Sequence, residues 1–180
     1  GASVTHAGSA ERAHMAIYQP QAGILNISGG TISAEQGGST AIEVRAGELN
    51  ISGNPVITGG LGKPGSDQNG NGGTTNNTAV AIAQHTTKLP ITVNITGGTL
   101  KGGAALYESN PQNNTEENTN HVTITVQNAI LHGSVALNGF ADMGITNSTI
   151  TGNVTKDTSN TGSLGFGNST IGGSAHENSN

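Results

Sequence analysis

The sequence predicts an all-β protein of the solenoid type, a right-handed parallel β-helix whose single-stranded coils of about 20 residues carry two long loop excursions. Three observations predict it. A short motif recurs six times with its apolar residues in fixed columns, Gly is abundant while aromatic residues are scarce, and no amphipathic helix of useful length occurs.

The clearest copy of the motif is residues 93–102, Val-Asn-Ile-Thr-Gly-Gly-Thr-Leu-Lys-Gly. Aligned on their apolar positions, the copies begin at Leu25, Leu49, Val93, Ile124, Met143 and Leu164. Two residues on comes a second apolar column: Ile27, Ile51, Ile95, Val126, Ile145 and Phe166. Alternation of this kind describes a short strand with one buried face. Two residues later only Gly or Asn occurs, at Gly29, Gly53, Gly97, Asn128, Asn147 and Asn168. These residue types tolerate positive φ, so the column is expected to form the structural corners. A third apolar column, Ile32, Val56, Leu100, Leu131, Ile150 and Ile171, opens the next side. A unit this short cannot bury its apolar face alone, whereas units stacked on one another can.

In chain order, residues 1–15 show little periodicity and lead into Ala16-Ile17-Tyr18, expected as a strand of an incomplete first coil. A further strand follows the early motifs at Ala41-Ile42-Glu43-Val44, Val80-Ala81-Ile82, Ala104-Ala105-Leu106 and Val135-Ala136-Leu137, which gives each coil two or three strands. The copies start 24, 44, 31, 19 and 21 residues apart. The surplus length falls in residues 59–78, where Leu61 is the one apolar side chain, and in residues 107–121. Neither stretch has the apolar content to offset its ordering entropy, so both are expected as mobile excursions. Residues 1–180 thus read as one β-helix segment of a larger protein, with roughly seven to nine coils stacked about 4.8 Å apart. The right hand follows from the general preference for right-handed crossovers.

Composition narrows the function classes. With 9% charged residues and a net charge of −5, the chain has no basic patch for a phosphate backbone, so nucleic acid is not expected as a partner. The absence of Cys removes disulfides and thiolate metal sites. Two Phe, two Tyr and no Trp suit a thin stack filled by Ile, Val, Leu and Ala better than a sphere. No secretory signal and no apolar run long enough for a bilayer are found, as expected of a mature or excised segment.

Catalytic chemistry finds little support. Some β-helical proteins cleave polysaccharides with paired carboxylates about 5–10 Å apart. Here Glu43 is expected to align with Ala81, Ala105 and Ala136, so no second acid stacks beside it. No Gly-x-Ser-x-Gly elbow occurs, and His6, His14, His85, His121, His132 and His176 lack metal-ligand spacing. Asp67, Asn69 and Asn71 alternate as calcium ligands would, but no further acid joins them. No enzyme, cofactor or metal is expected. What remains is polar. Asn26, Asn50 and Asn94 form one outward row, and Ser28, Ser52, Thr96, Gln127 and Thr146 form the next. The corner Asn128, Asn147 and Asn168 invite a side-chain ladder.

Ala41 to Leu137 resembles the pertactin-like passenger domains of bacterial autotransporters. The likeness is carried by Ala-Ile-Glu-Val at 41–44, Leu-Asn-Ile-Ser-Gly at 49–53, Gly-Gly-Ala-Ala-Leu-Tyr at 102–107 and the strand–corner–strand run 122–137. Residues 143–173, with Asn-Ser-Thr-Ile twice, resemble autotransporter passengers more generally. The resemblance implies a secreted β-helix displayed at the bacterial outer membrane through a C-terminal barrel absent from this chain. It also implies an adhesin or virulence-factor role towards a host-cell protein or glycan, or towards a neighbouring cell. No Arg-Gly-Asp tripeptide is present, so an integrin-type contact does not carry over. The loops supply the binding candidates: Asp67, Asn69, Tyr107, Glu116 and Glu117. The alternative expectation is a carbohydrate-binding or polysaccharide-active β-helix, which the shortage of aromatic platforms disfavours.

Overall fold

A computed structural model describes residues 1–6, 14–68, 72–113 and 122–178. The described residues are all-β, without helices, and their strands are mostly parallel, an arrangement compatible with a parallel β-helix. No helix among them is long and apolar enough to cross a membrane.

The strands follow the repeat. Ahead of the first motif lie β1 (Ser3–Thr5) and β2 (Met15–Gln19). The first level comprises β3 (Ile24–Ile27), β4 (Thr31–Ser33) and β5 (Thr40–Val44). The second has β6 (Gly47–Ile51), β7 (Val56–Thr58), a small insertion with β8 (Gly65–Ser66) and β9 (Thr75–Asn76), then β10 (Thr78–Ala83). Next come β11 (Ile91–Ile95) with β12 (Thr99–Ser109), and β13 (Val122–Gln127) with β14 (Ile130–Leu137). The fifth level is β15 (Asp142–Thr146), β16 (Thr149–Ile150) and β17 (Val154–Asp157). The sixth is β18 (Leu164–Gly167), β19 (Thr170–Ile171) and β20 (Ala175–Asn178).

Equivalent strands of successive levels pair in parallel, in three ladders. The first, β3-β6-β11-β13-β15-β18, is a six-stranded sheet. It matches Leu25, Leu49, Val93, Ile124, Met143 and Leu164 one to one, and the Ile27 to Phe166 column likewise. The second ladder runs β1-β4-β7-β12-β14-β16-β19, and the third runs β2-β5-β10-β12-β14-β17-β20. Because β12 and β14 continue through the bend between them, these two ladders merge into one twelve-stranded sheet. The inward columns of all three ladders meet in a continuous core of Ile, Val, Leu and Ala. The end levels are thin: Phe166 remains 42% exposed and Leu25 is only partly buried, because among the described residues nothing stacks beyond β18 or β3.

Three sequence expectations need correction. The third apolar column contains Ile57, not Val56: Ile57 pairs with Ile32 and Leu100 and is fully buried, while Val56 is 43% exposed. Asn54-Pro55 lengthens that corner by one residue, and a one-residue slip turns every side chain to the other face. Secondly, positive φ falls on Gly53, Asn128, Asn147 and Asn168, but on Gly30 and Gly98 rather than Gly29 and Gly97. In the Gly-Gly corners either residue can take the left-handed conformation. Gly53 has no such choice, since Asn54 precedes a proline and is held extended. At Asn128, Asn147 and Asn168 the following Ala or Ser tolerates the conformation less well than Asn. Thirdly, the described part of residues 59–78 is not a loose excursion. Strands β8 and β9 pair antiparallel, and Thr74, Thr75, Asn77 and Thr78 are buried.

Candidate functional site

Side chains of the third ladder that face away from the core form a column of Tyr18, Glu43, Ala81, Tyr107, Ala136, Thr155 and His176. Ala105 is therefore not the partner of Ala81. Strand β10 pairs with β12 in even register, Val80 on Leu106 and Ala81 on Tyr107. Against β14, strand β12 carries register shifts between Lys101 and Ala104 and between Ala104 and Leu106 that set Tyr107, not Ala105, opposite Ala136. Tyr107 consequently lies within a strand, half-buried, and not in a loop.

The β8–β9 hairpin lies across the early part of this column and is fastened to it from below. Thr74 N–H donates to both oxygens of Glu43, each at 3.0 Å, and Thr75 N–H donates to Oε2 at 2.9 Å. The Thr74 hydroxyl adds a bond of 3.2 Å to Oε1. The Gly72 carbonyl accepts from Arg45 Nη1 at 2.7 Å and from the Tyr18 hydroxyl at 3.1 Å. At the hairpin's base, Asn77 Nδ2 donates to the Lys63 carbonyl, while its Oδ1 accepts from Gly38 N–H, both at 2.9 Å. Burial raises the Glu43 pKa above the usual carboxylate range, and the Thr75 and Thr74 amides with the Arg45 charge oppose that rise. Burial, followed by the Arg45 charge, also lowers the pKa of His85.

A second buried acid sits two levels on from Glu43. Glu108 stands in a column with Val44, Ile82 and Leu137, pointing where an apolar residue belongs. It is fully buried, and its carboxyl turns towards the next bend, accepting Gly139 N–H at 2.7 Å and Phe140 N–H at 3.2 Å. Desolvation pushes its pKa up to about 8 against these hydrogen bonds. Burial likewise raises the pKa of the neighbouring Tyr107, whose phenol meets the Asn138 side chain.

Of the loop candidates, Asp67 is exposed on the hairpin, and its N–H donates to the Thr74 carbonyl at 2.8 Å. Asn69, Glu116 and Glu117 lie outside the described residues. Sequence reasoning passed over Arg45, Thr74 and Glu108. For Glu108 the signal was present, since it follows Leu106 at the spacing of an inward strand position.

The polar rows differ in kind. Asn50 Nδ2 donates to Asn26 Oδ1 at 2.9 Å and Asn94 Nδ2 donates to Asn50 Oδ1 at 3.0 Å, forming an amide ladder on the first sheet. The expected ladder at Asn128, Asn147 and Asn168 does not form; serine hydroxyls one residue on take that role. Ser148 Oγ accepts from Ala129 N–H at 3.1 Å and donates to the Thr146 carbonyl at 2.8 Å, and Ser169 Oγ repeats the pattern on Ser148 N–H and the Gly167 carbonyl. Asn128, Asn147 and Asn168 take positive φ at the corner with their side chains exposed.

No family model, curated protein or solved structure matches the chain.

Proposed function

We propose that the chain is a segment of a right-handed parallel β-helix, acting without catalysis as the shaft of a surface-displayed bacterial adhesin of the autotransporter passenger kind. The observation that carries this reading is the hairpin. Its return strand is buried on the stacked ladders through Glu43, while Leu61, Lys63, Asp67 and Gln68 remain exposed above. A rigid stack that holds an exposed loop in one orientation loses little entropy when a partner binds. The partner would be a host protein or glycan, or the same chain on a neighbouring cell, and the mechanism is display. The non-enzymatic part is supported by the two buried carboxyls, each of which commits its oxygens to backbone N–H groups and faces no solvent.

The test is adhesion of cells displaying this chain on an outer-membrane anchor, before and after residues 61–76 are replaced by a short Gly-Ser turn. Adhesion should fall severalfold while surface level stays constant. Undiminished adhesion would refute presentation by the hairpin, and Asn26, Asn50 and Asn94 would then be replaced by Ala to test the amide row.

A further inference from the structure

We propose that His6 and His14 form a two-imidazole site for a borderline divalent transition metal such as Zn2+, Ni2+ or Cu2+. His6 leaves the end of β1 on the second ladder, where its N–H donates to the Ser33 carbonyl at 2.9 Å. His14 enters β2 on the third ladder, and its carbonyl accepts Thr40 N–H at 2.8 Å. Each backbone is thus fixed by a different ladder, and the two rings are brought together from residues eight positions apart in sequence. Their centroids are 4.9 Å apart and the ring planes are inclined by 51°.

That separation is compatible with a shared metal. With metal–nitrogen bonds of about 2.0–2.1 Å, each ring centroid lies about 3.2 Å from the metal. Two such ligands are then about 4.5 Å apart at a square-planar angle and about 5.2 Å apart at a tetrahedral one. The observed value falls between the two. Among the described residues neither imidazole has a hydrogen-bond partner, and both residues are half-buried. Imidazole donors select Zn2+, Ni2+ or Cu2+ over Ca2+ and Mg2+, which need several oxygens. No group of three or more His, Cys, Asp or Glu suited to a metal occurs among the described residues, so water fills the remaining positions. A metal here ties the end of β1 to the start of β2 and staples two ladders at the start of the stack.

The test is calorimetric titration of the full chain with Zn2+ alone, together with the Cu2+ electron paramagnetic resonance spectrum. Wild type should take up one equivalent at this site, and the Cu2+ spectrum should carry coupling from two nitrogens. Because the second imidazole binds intramolecularly, His6→Ala and His14→Ala should each weaken binding by roughly tenfold or more. The double variant should lose binding at this site altogether, and His132→Ala should leave the site intact. Unchanged affinity in either single variant, or a spectrum without two-nitrogen coupling at one equivalent of Cu2+, would overturn the site. The spectrum needs no substitution, so it decides the matter even if a variant folds poorly.

Discussion

Glu108 has Val44, Ile82 and Leu137 as its column neighbours, so an acid occupies a core position. Its ordinary pKa is near 4.5, and burial pushes it up to about 8. The native state therefore binds more protons than the unfolded chain between those values. By linkage, the stabilising contribution is complete below the unfolded pKa and is lost as pH rises towards 8. Glu108→Gln removes that titration but offers one oxygen where Gly139 and Phe140 present two N–H donors, leaving an unmatched donor worth about 1–3 kcal/mol. The variant should be the less stable protein at pH 5, and the gap in melting temperature should narrow by pH 9. Parallel melting curves across that range would mean that Glu108 does not carry the slope. Asp142 acts in the opposite sense. The Ser163 N–H and hydroxyl lower its pKa, so its contribution is present above the unfolded pKa and disappears in acid.

Among the elements, the β8–β9 hairpin depends most on one side chain. Three backbone N–H bonds reach the Glu43 carboxyl, and the strand that provides them is buried with it. Glu43→Ala leaves those N–H groups without acceptors, so the hairpin should lift while the first sheet stays closed. In hydrogen exchange, the Thr74 and Thr75 amides should lose protection by roughly tenfold to a hundredfold, from about 1–3 kcal/mol of lost bonding. The amides of Val93 and Ile95 should keep theirs; if those loosen equally, the carboxyl supports the whole stack and not the hairpin. This element was illegible in the sequence because its ordering comes from hydrogen bonds to a distant residue, not from apolar content. The first ladder was legible to the residue, since period-two apolar columns fix parallel register wherever one face is buried. The column errors at Val56 and Ala105 have one cause: an extra residue at a bend or bulge leaves local composition unchanged while shifting the register downstream.

At the scale of the molecule, each level touches mainly the levels above and below, as the three ladders require. In such a stack the cost of a core charge depends on how many sides of its level are covered. Ile95 is fully buried, and its strand pairs with β6 on one side and β13 on the other. Phe166 holds the equivalent column position in β18, where among the described residues a partner lies on one side only and the ring is 42% exposed. Ile95→Asp puts an unpaired carboxyl in the middle of the core and should cost more than about 4 kcal/mol, enough to divide the stack. Phe166→Asp gives up partly exposed apolar area and should cost on the order of 1 kcal/mol, with the interior levels unaffected. Urea unfolding followed by far-ultraviolet circular dichroism separates the two. A large loss of structure in Ile95→Asp alongside a near-native transition in Phe166→Asp is the expected pair, and equal losses would contradict the nearest-neighbour character of the proposed β-helix.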